Sequence, residues 1–221
     1  ILGLAVRGAP NELGLAKDLG ANLLGPLHVS HACTRGWDEF DDSYFDERVF
    51  PFYREAQSQG FWVSPALWNY RAPAWLAKIA PDINVEDEDK GWFRDALDLD
   101  HPWTSRFETM WFKYASSQLK KSANNFCYSL MGEEWCNPSF RSKYTEPRYR
   151  EWLNEKHGDI AALNKAWGAA YKDFSSAAGK ESLQTKGGHY DWYRFNEDRL
   201  TAYNQAQIDG IRQSEPQGLW T

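Results

Sequence analysis

Apolar and polar positions in this chain fall into blocks that predict strands followed by helices. Residues 1–6 are a short apolar run closed by Arg7-Gly8-Ala9-Pro10, the pattern of a buried strand and a loop. Asn11 can cap a short helix reaching Leu19, which Gly20 ends. Residues 22–24 read as a second strand and 28–42 as a polar loop rich in His, Trp and Asp. Over 44–59, Phe45, Val49, Phe52 and Ala56 share one helical face, and Gly60 stops the helix. Residues 61–67 read as a third strand, with Trp68-Asn69-Tyr70 at its C-terminal end. A short helical turn over 73–79 and an acidic loop over 82–99 follow. Residues 104–121 form an amphipathic helix carrying Phe107, Trp111, Tyr114 and Leu119. Residues 126–131 read as a fourth strand, followed at once by Gly132-Glu133-Glu134-Trp135. The pattern then predicts one or two helices over 147–167, broken near Gly158, and a long helix over 192–213. Leu219-Trp220-Thr221 opens a fifth strand.

Strands that alternate with helices imply an α/β fold with a parallel sheet and right-handed crossovers. Alternation alone fits a barrel or a doubly wound sheet. No G-x-G-x-x-G or P-loop follows any strand, which weakens a nucleotide-binding reading. In a (β/α)8 barrel the reacting groups sit at the C-terminal ends of strands. Arg7, His28 with His31, Trp68 with Asn69, and Glu133 with Glu134 all fall at such ends. The chain has 221 residues, whereas a complete barrel takes about 250.

Composition narrows the chemistry. The net charge of −6 argues against a nucleic-acid partner. No run of about 18 apolar residues is present, so no membrane span is expected. Cys33, Cys127 and Cys136 are too few and too scattered for a disulfide framework or a C-x-x-C zinc site, and they leave a cytoplasmic or secreted location open. The first residue is Ile1 rather than Met, as after removal of a leading segment or excision of a piece. Aromatic content is high, with 12 Trp, 11 Tyr and 12 Phe. Flat rings stack on the apolar faces of sugars while polar neighbours bind the hydroxyls, so carbohydrate binding stands beside ordinary core filling. Trp37, Trp68 and Trp135 are candidate sugar platforms or loop-packing residues. Trp152 and Trp167 have the apolar spacing of structural helix residues.

Glycosidic cleavage uses one carboxylic acid to protonate the leaving oxygen and a second carboxylate as nucleophile or base. Glu133 and Glu134 leave an apolar strand together, and side-chain alternation would turn one of them into a barrel mouth. Two solvated loop glutamates are the alternative.

Four segments resemble a known family. Asn69-Tyr70-Arg71-Ala72-Pro73-Ala74-Trp75-Leu76-Ala77 is similar to the "PPAWLA" stretch after strand three of glycoside hydrolase family 42, the β-galactosidase-like group of clan A. Residues 151–168 resemble its "WLKEKYGDIDALNKAWGT" stretch, and Asp191-Trp192-Tyr193-Arg194-Phe195 its "DWxRF" helix start. Ser129-Leu130-Met131-Gly132-Glu133-Glu134-Trp135 stands where the family has "DNEY". The resemblance implies a retaining β-glycosidase on a (β/α)8 TIM-barrel fold, of which this chain holds about the first four to five β/α units. It assigns the acid/base to Glu134, with Glu133 as the alternative. The nucleophile would follow strand seven, beyond this chain. Glu133 stands where the family has a sugar-binding Asn, and Arg94 where it has a sugar-binding Arg. Trp68, Asn69, Trp135 and His28 are further substrate-binding candidates, a hydrogen-bonded loop His being the other reading of His28. The family's zinc-binding cysteine cluster is reduced here to Cys136, so no metal or other cofactor is expected.

The leading expectation is a glycoside hydrolase acting on a β-galactoside or related oligosaccharide. A non-catalytic carbohydrate-binding relative and a structural module reusing the fold are the alternatives. Either the chain continues past Thr221, or copies associate as a homo-oligomer to close the open sheet edges.

Overall fold

Parallel pairing follows chain order through the apolar segments. The computed structural model describes residues 1–5, 10–67, 70–85, 96–122, 124–130 and 142–220. Strand β1 (Gly3–Leu4) leads through helix α1 (Pro10–Asp18) to β2 (Leu23–His28). A hairpin of β3 (Thr34–Gly36) and β4 (Glu39–Phe40) precedes α2 (Phe50–Ser58) and β5 (Trp62–Ala66). Then come α3 (Ala74–Ile79), the small antiparallel pair β6 (Asn84–Val85) and β7 (Ala96–Leu97), and α4 (Thr104–Leu119). Helices α5 (Thr145–His157), α6 (Ile160–Trp167), α7 (Phe174–Ala177) and α8 (Lys186–Ser214) complete the chain.

β1 pairs with β2, and β2 with β5, all parallel. The segment 124–130 lies parallel beside β5, with Val63 opposite Asn125 and Ala66 opposite Ser129. Trp220 lies parallel beside Tyr128, whose N–H donates to the Leu219 carbonyl at 2.8 Å. Five segments thus stand side by side in the order in which they occur along the chain. A doubly wound sheet reverses order at a switch point, whereas a (β/α)8 barrel keeps it. The architecture is therefore that of the first units of a (β/α)8 barrel, including the fifth strand expected at Leu219.

One apolar cluster packs the sheet against its helices, with Leu24, Val63, Leu67, Phe107, Trp111, Phe112 and Tyr128 fully or nearly fully buried. A second cluster joins α5, α6, α7 and the first half of α8 through Tyr149, Leu153, Leu163, Trp167, Trp192 and Phe195. Trp167 thus packs in a core, as expected; Trp152 lies against the same cluster and donates to Asp198 at 2.7 Å. Helix α8 reaches both clusters, since Tyr203 and Ile211 in its second half belong to the first. Its second half lies close on α4: a Cβ on Gly210 would stand 2.5 Å from the Thr109 carbonyl oxygen.

Several boundaries differ from the pattern-based expectation. β2 runs past Gly25-Pro26 to His28, carried by a register shift between Leu24 and Leu27 rather than broken by the proline. The polar stretch after β2 contains the β3–β4 hairpin, turned at Asp38 with φ 57°. Asn11 lies inside α1, which Pro10 opens, as suits a residue lacking an N–H at a first turn. The first half of the 44–59 helix is a wide turn over Phe45–Val49, closed by Phe50 N–H to the Phe45 carbonyl. Pro51 has no N–H to continue the ordinary ladder there. Helix α8 starts six residues before Trp192, because Thr185 caps the Gly188 N–H and small residues fit at 187 and 188. A Cβ at those positions would stand 2.4 Å from Trp167 and 2.2 Å from the Ser182 carbonyl oxygen.

Candidate active site

The C-terminal ends of β2, β5 and the 124–130 segment form one rim. Val29 N–H donates to the Ala66 carbonyl at 2.8 Å, and Leu67 N–H to the Ser129 carbonyl at 3.2 Å. The Trp111 indole N–H reaches up from α4 to the Leu67 carbonyl at 2.7 Å. That bond satisfies a carbonyl at the last residue described before Trp68, and it fixes the rim to the helix layer. Leu130, buried in the main cluster, is the last residue described before Glu133 and Glu134.

Of the residues singled out from sequence, Glu133, Glu134, Trp135, Trp68, Asn69, Arg94, Arg7 and Cys136 lie outside the described residues. His28 is described. It ends β2, is exposed, and borders a small cavity of about 130 Å³ beside Tyr44, Arg48 and Phe52. His31, three residues on, is placed differently. It opens a short turn capped by the Ser30 hydroxyl, which accepts from Ala32 N–H at 3.1 Å. Its ring stands edge-on to Phe107 at 5.9 Å. Burial pushes its pKa down to about 4, so it is neutral near pH 7 where the loop after β2 faces the loop after β5.

Those two loops enclose a cleft of about 530 Å³ lined by His31, Thr34, Arg35, Arg71, Pro73 and Trp75 among others. Trp75 is fixed by its indole N–H donating to the Thr34 hydroxyl at 3.0 Å. Trp37 stands edge-on to Trp75 at 5.1 Å and to Trp103 at 6.1 Å, and the Arg106 guanidinium lies 4.1 Å above its ring. Trp37 therefore packs among side chains, the second of its two expected roles.

Sequence reading missed the polar network where the chain returns from 131–141. The Ser142 N–H donates to the Thr145 hydroxyl at 3.1 Å, and that hydroxyl donates to Asp100 at 2.6 Å. Asp100 also accepts from Arg148 at 2.7 Å and pairs with Arg199 of α8 at 2.6 and 3.1 Å. Asp100 and Arg199 are both buried. Burial pushes the Asp98 carboxyl above the usual range, opposed by the Asp100 N–H that donates to it at 2.9 Å. The segment bearing Glu133 and Glu134 thus joins a buried strand end at Leu130 to a charged anchor at Ser142–Thr145. A second missed carboxylate, Glu108, is fully buried between α4 and α8. It accepts from the Gln207 amide at 2.9 Å, and burial pushes its pKa up to about 7. Among the described residues, no group of three or more His, Cys, Asp or Glu could hold a metal ion, and no helix is long and apolar enough to cross a membrane. Cys33 and Cys127 are free and buried.

Known proteins share this architecture. The family model for glycoside hydrolase family 42, beta-galactosidase, matches residues 54–221. A beta-galactosidase of Thermus thermophilus is 34% identical over 76 residues, which are 31% of this chain and 12% of the relative. Beta-galactosidase Bga of Halorubrum lacusprofundi is 27% identical over 164 residues, 65% of this chain and 23% of the relative. Among solved structures, a cold-adapted beta-galactosidase from Rahnella sp. R3 superposes with a TM-score of 0.77 at 18% identity, over 100% of this chain and 35% of its own. An exo-carrageenase of the same family from Bacteroides ovatus superposes with a TM-score of 0.55 at 27% identity, over 72% of this chain and 23% of its own. The chain thus spans about a third or less of the length of these relatives. The family match covers most of the chain, and the strands keep a barrel's order from first to fifth; the chain belongs to glycoside hydrolase family 42.

Proposed function

We propose that residues 1–221 are part of the (β/α)8 catalytic domain of a retaining glycosidase acting on β-galactosides, with Glu134 as its acid/base. The observation that carries this reading is the position of Leu130. It ends the fourth parallel segment on the same rim as His28 and Ala66, and Glu134 follows four residues later in the chain. Acid/base groups of barrel enzymes leave strands at that edge. In this reading Glu134 protonates the departing oxygen and later takes a proton from water, while a second carboxylate from the rest of the protein attacks the sugar. Glu133, adjacent in the chain, adds negative charge that favours the protonated form of Glu134. Trp68, Asn69, Arg94, Trp135 and His28 are its proposed sugar contacts.

The test is hydrolysis of aryl β-galactosides by the full-length protein. Glu134→Gln should reduce turnover by about 100-fold or more, and Glu133→Gln should cost less. Loss in Glu133→Gln with Glu134→Gln active would move the acid/base to Glu133. Sugar binding without turnover, unchanged by either substitution, would leave a non-catalytic carbohydrate-binding protein.

A further inference from the structure

We propose that Thr145, seated on the buried Asp100 carboxylate, is a positioning residue for the acid/base glutamate. It fixes the chain downstream of Glu134, and Arg148 and Arg199 hold its seat in place. The inference rests on the assignment of Glu134 above and adds what keeps that residue in register.

Its first support is geometry. Glu134 stands four residues after Leu130, which is buried in the main cluster, and eleven residues before Thr145, which is fully buried. Three contacts tie residues 143–145 to the connection between α3 and α4. Lys143 pairs with Asp82 at 2.6 Å, the Tyr144 hydroxyl donates to Asp82 at 2.7 Å, and the Thr145 hydroxyl donates to Asp100 at 2.6 Å. The Lys143 and Asp82 side chains are exposed, and an ion pair in water holds little. Thr145 and Asp100 are both buried, so theirs is the contact that defines position. The same hydroxyl also accepts from the Ser142 N–H at 3.1 Å, which fixes the backbone entering α5.

The second support is that the seat cannot turn. Asp100 Oδ1 meets Arg148 at 2.7 Å and Arg199 Nε at 3.1 Å, while Oδ2 meets the Thr145 hydroxyl at 2.6 Å and Arg199 Nη2 at 2.6 Å. A carboxylate has about four acceptor positions, so both oxygens are held from two sides. The two arginines come from α5 and α8, the helices that the second apolar cluster packs together. A buried ion network often adds little net stability over apolar residues of the same volume. What this one supplies is a fixed location for one hydroxyl. Acid catalysis depends on location: the carboxyl must come within about 3 Å of the leaving oxygen, and a misplacement of about 1 Å can cost about 100-fold.

The test is kcat/KM of the full-length protein on two substrates. Phenyl β-galactoside has a leaving group that needs protonation; 2,4-dinitrophenyl β-galactoside has one that does not. In Thr145→Val the first should fall about tenfold or more and the second by less than about twofold. Thr145→Ser, which keeps the hydroxyl, should stay within about twofold of the parent on both. Arg148→Met alters a half-exposed side chain and so keeps the fold; it should show the same selective loss, about threefold or more. An equal loss on both substrates, as a merely loosened fold would give, overturns the proposal. So does no loss in Thr145→Val, or a loss that Thr145→Ser shares. Glu134→Gln is measured alongside. A selective loss there, with none in Thr145→Val or Arg148→Met, leaves the acid/base assignment standing and removes only the positioning role. An unaltered protein that hydrolyses neither substrate sinks the glycosidase reading and the proposal with it.

Discussion

Replacing Arg199 by Met should destabilise the fold strongly. Arg199 keeps 2% side-chain exposure and Asp100 none, and they meet through an ion-pair contact at 2.6 Å and a hydrogen bond from Nε at 3.1 Å. Opposite charges about 4 Å apart attract by roughly 4 kcal/mol at an effective dielectric near 20. Met has a similar length and no charge, so the substitution leaves the Asp100 carboxylate buried with less compensation. Breaking a buried pair in this way typically costs about 3–5 kcal/mol. Arg148 and Thr145 still bond Asp100, which places the expected loss near the lower end, about 3 kcal/mol. Urea denaturation followed by tryptophan fluorescence measures it, with Arg199→Met, Asp100→Asn and the double variant compared. The double variant should lose less than the sum of the singles, by about 1 kcal/mol or more, because each single change strands the other partner. A loss below about 1 kcal/mol for Arg199→Met, or strict additivity, would refute the view that this pair anchors the return from 131–141.

Two further outcomes follow from buried groups on α4 and α8. Glu108 titrates near 4.5 when unfolded and about 7 when folded, so the unfolded chain gives up its proton first and stability falls as pH rises through that window. The slope should flatten in Glu108→Gln; denaturation midpoints between pH 5 and 8 that are identical for both proteins would contradict this. Gly210→Ala would put a methyl 2.5 Å from the Thr109 carbonyl oxygen and 2.9 Å from Phe112 Cβ, destabilising by about 1–3 kcal/mol. A thermal midpoint equal to or above the parent's would show that the α4–α8 crossing is looser than described.

Local pattern was enough to locate the parallel strands and most helices, because most carry their own periodicity and α1, α2, α5 and α6 are closed by a glycine. It failed where long-range packing decided the local structure. Gly187 and Gly188 look like helix breakers until Trp167 and Ser182 are seen to leave no room for a side chain. Gly25-Pro26 looks like a strand end until β5 is seen to pair on both sides of it. The buried network was illegible for the same reason: Asp100 and Arg199 are 99 residues apart in sequence, and nothing near either one announces the other. The Glu133–Glu134 pair drew attention through its place after an apolar strand, but its proposed chemistry came from family resemblance. His28 and His31 looked alike in sequence; burial against Phe107 separates them.

Helix α8 has one further consequence. It is a single uninterrupted rod of 29 residues, about 43 Å long at 1.5 Å per residue, shared by two apolar clusters. Neither cluster can open alone without stripping one half of the same hydrogen-bond ladder. The amides of its central turns, near Asn196 and Arg199, should therefore be among the slowest to exchange with deuterated solvent. The four-helix excursion and the sheet should melt as one cooperative unit.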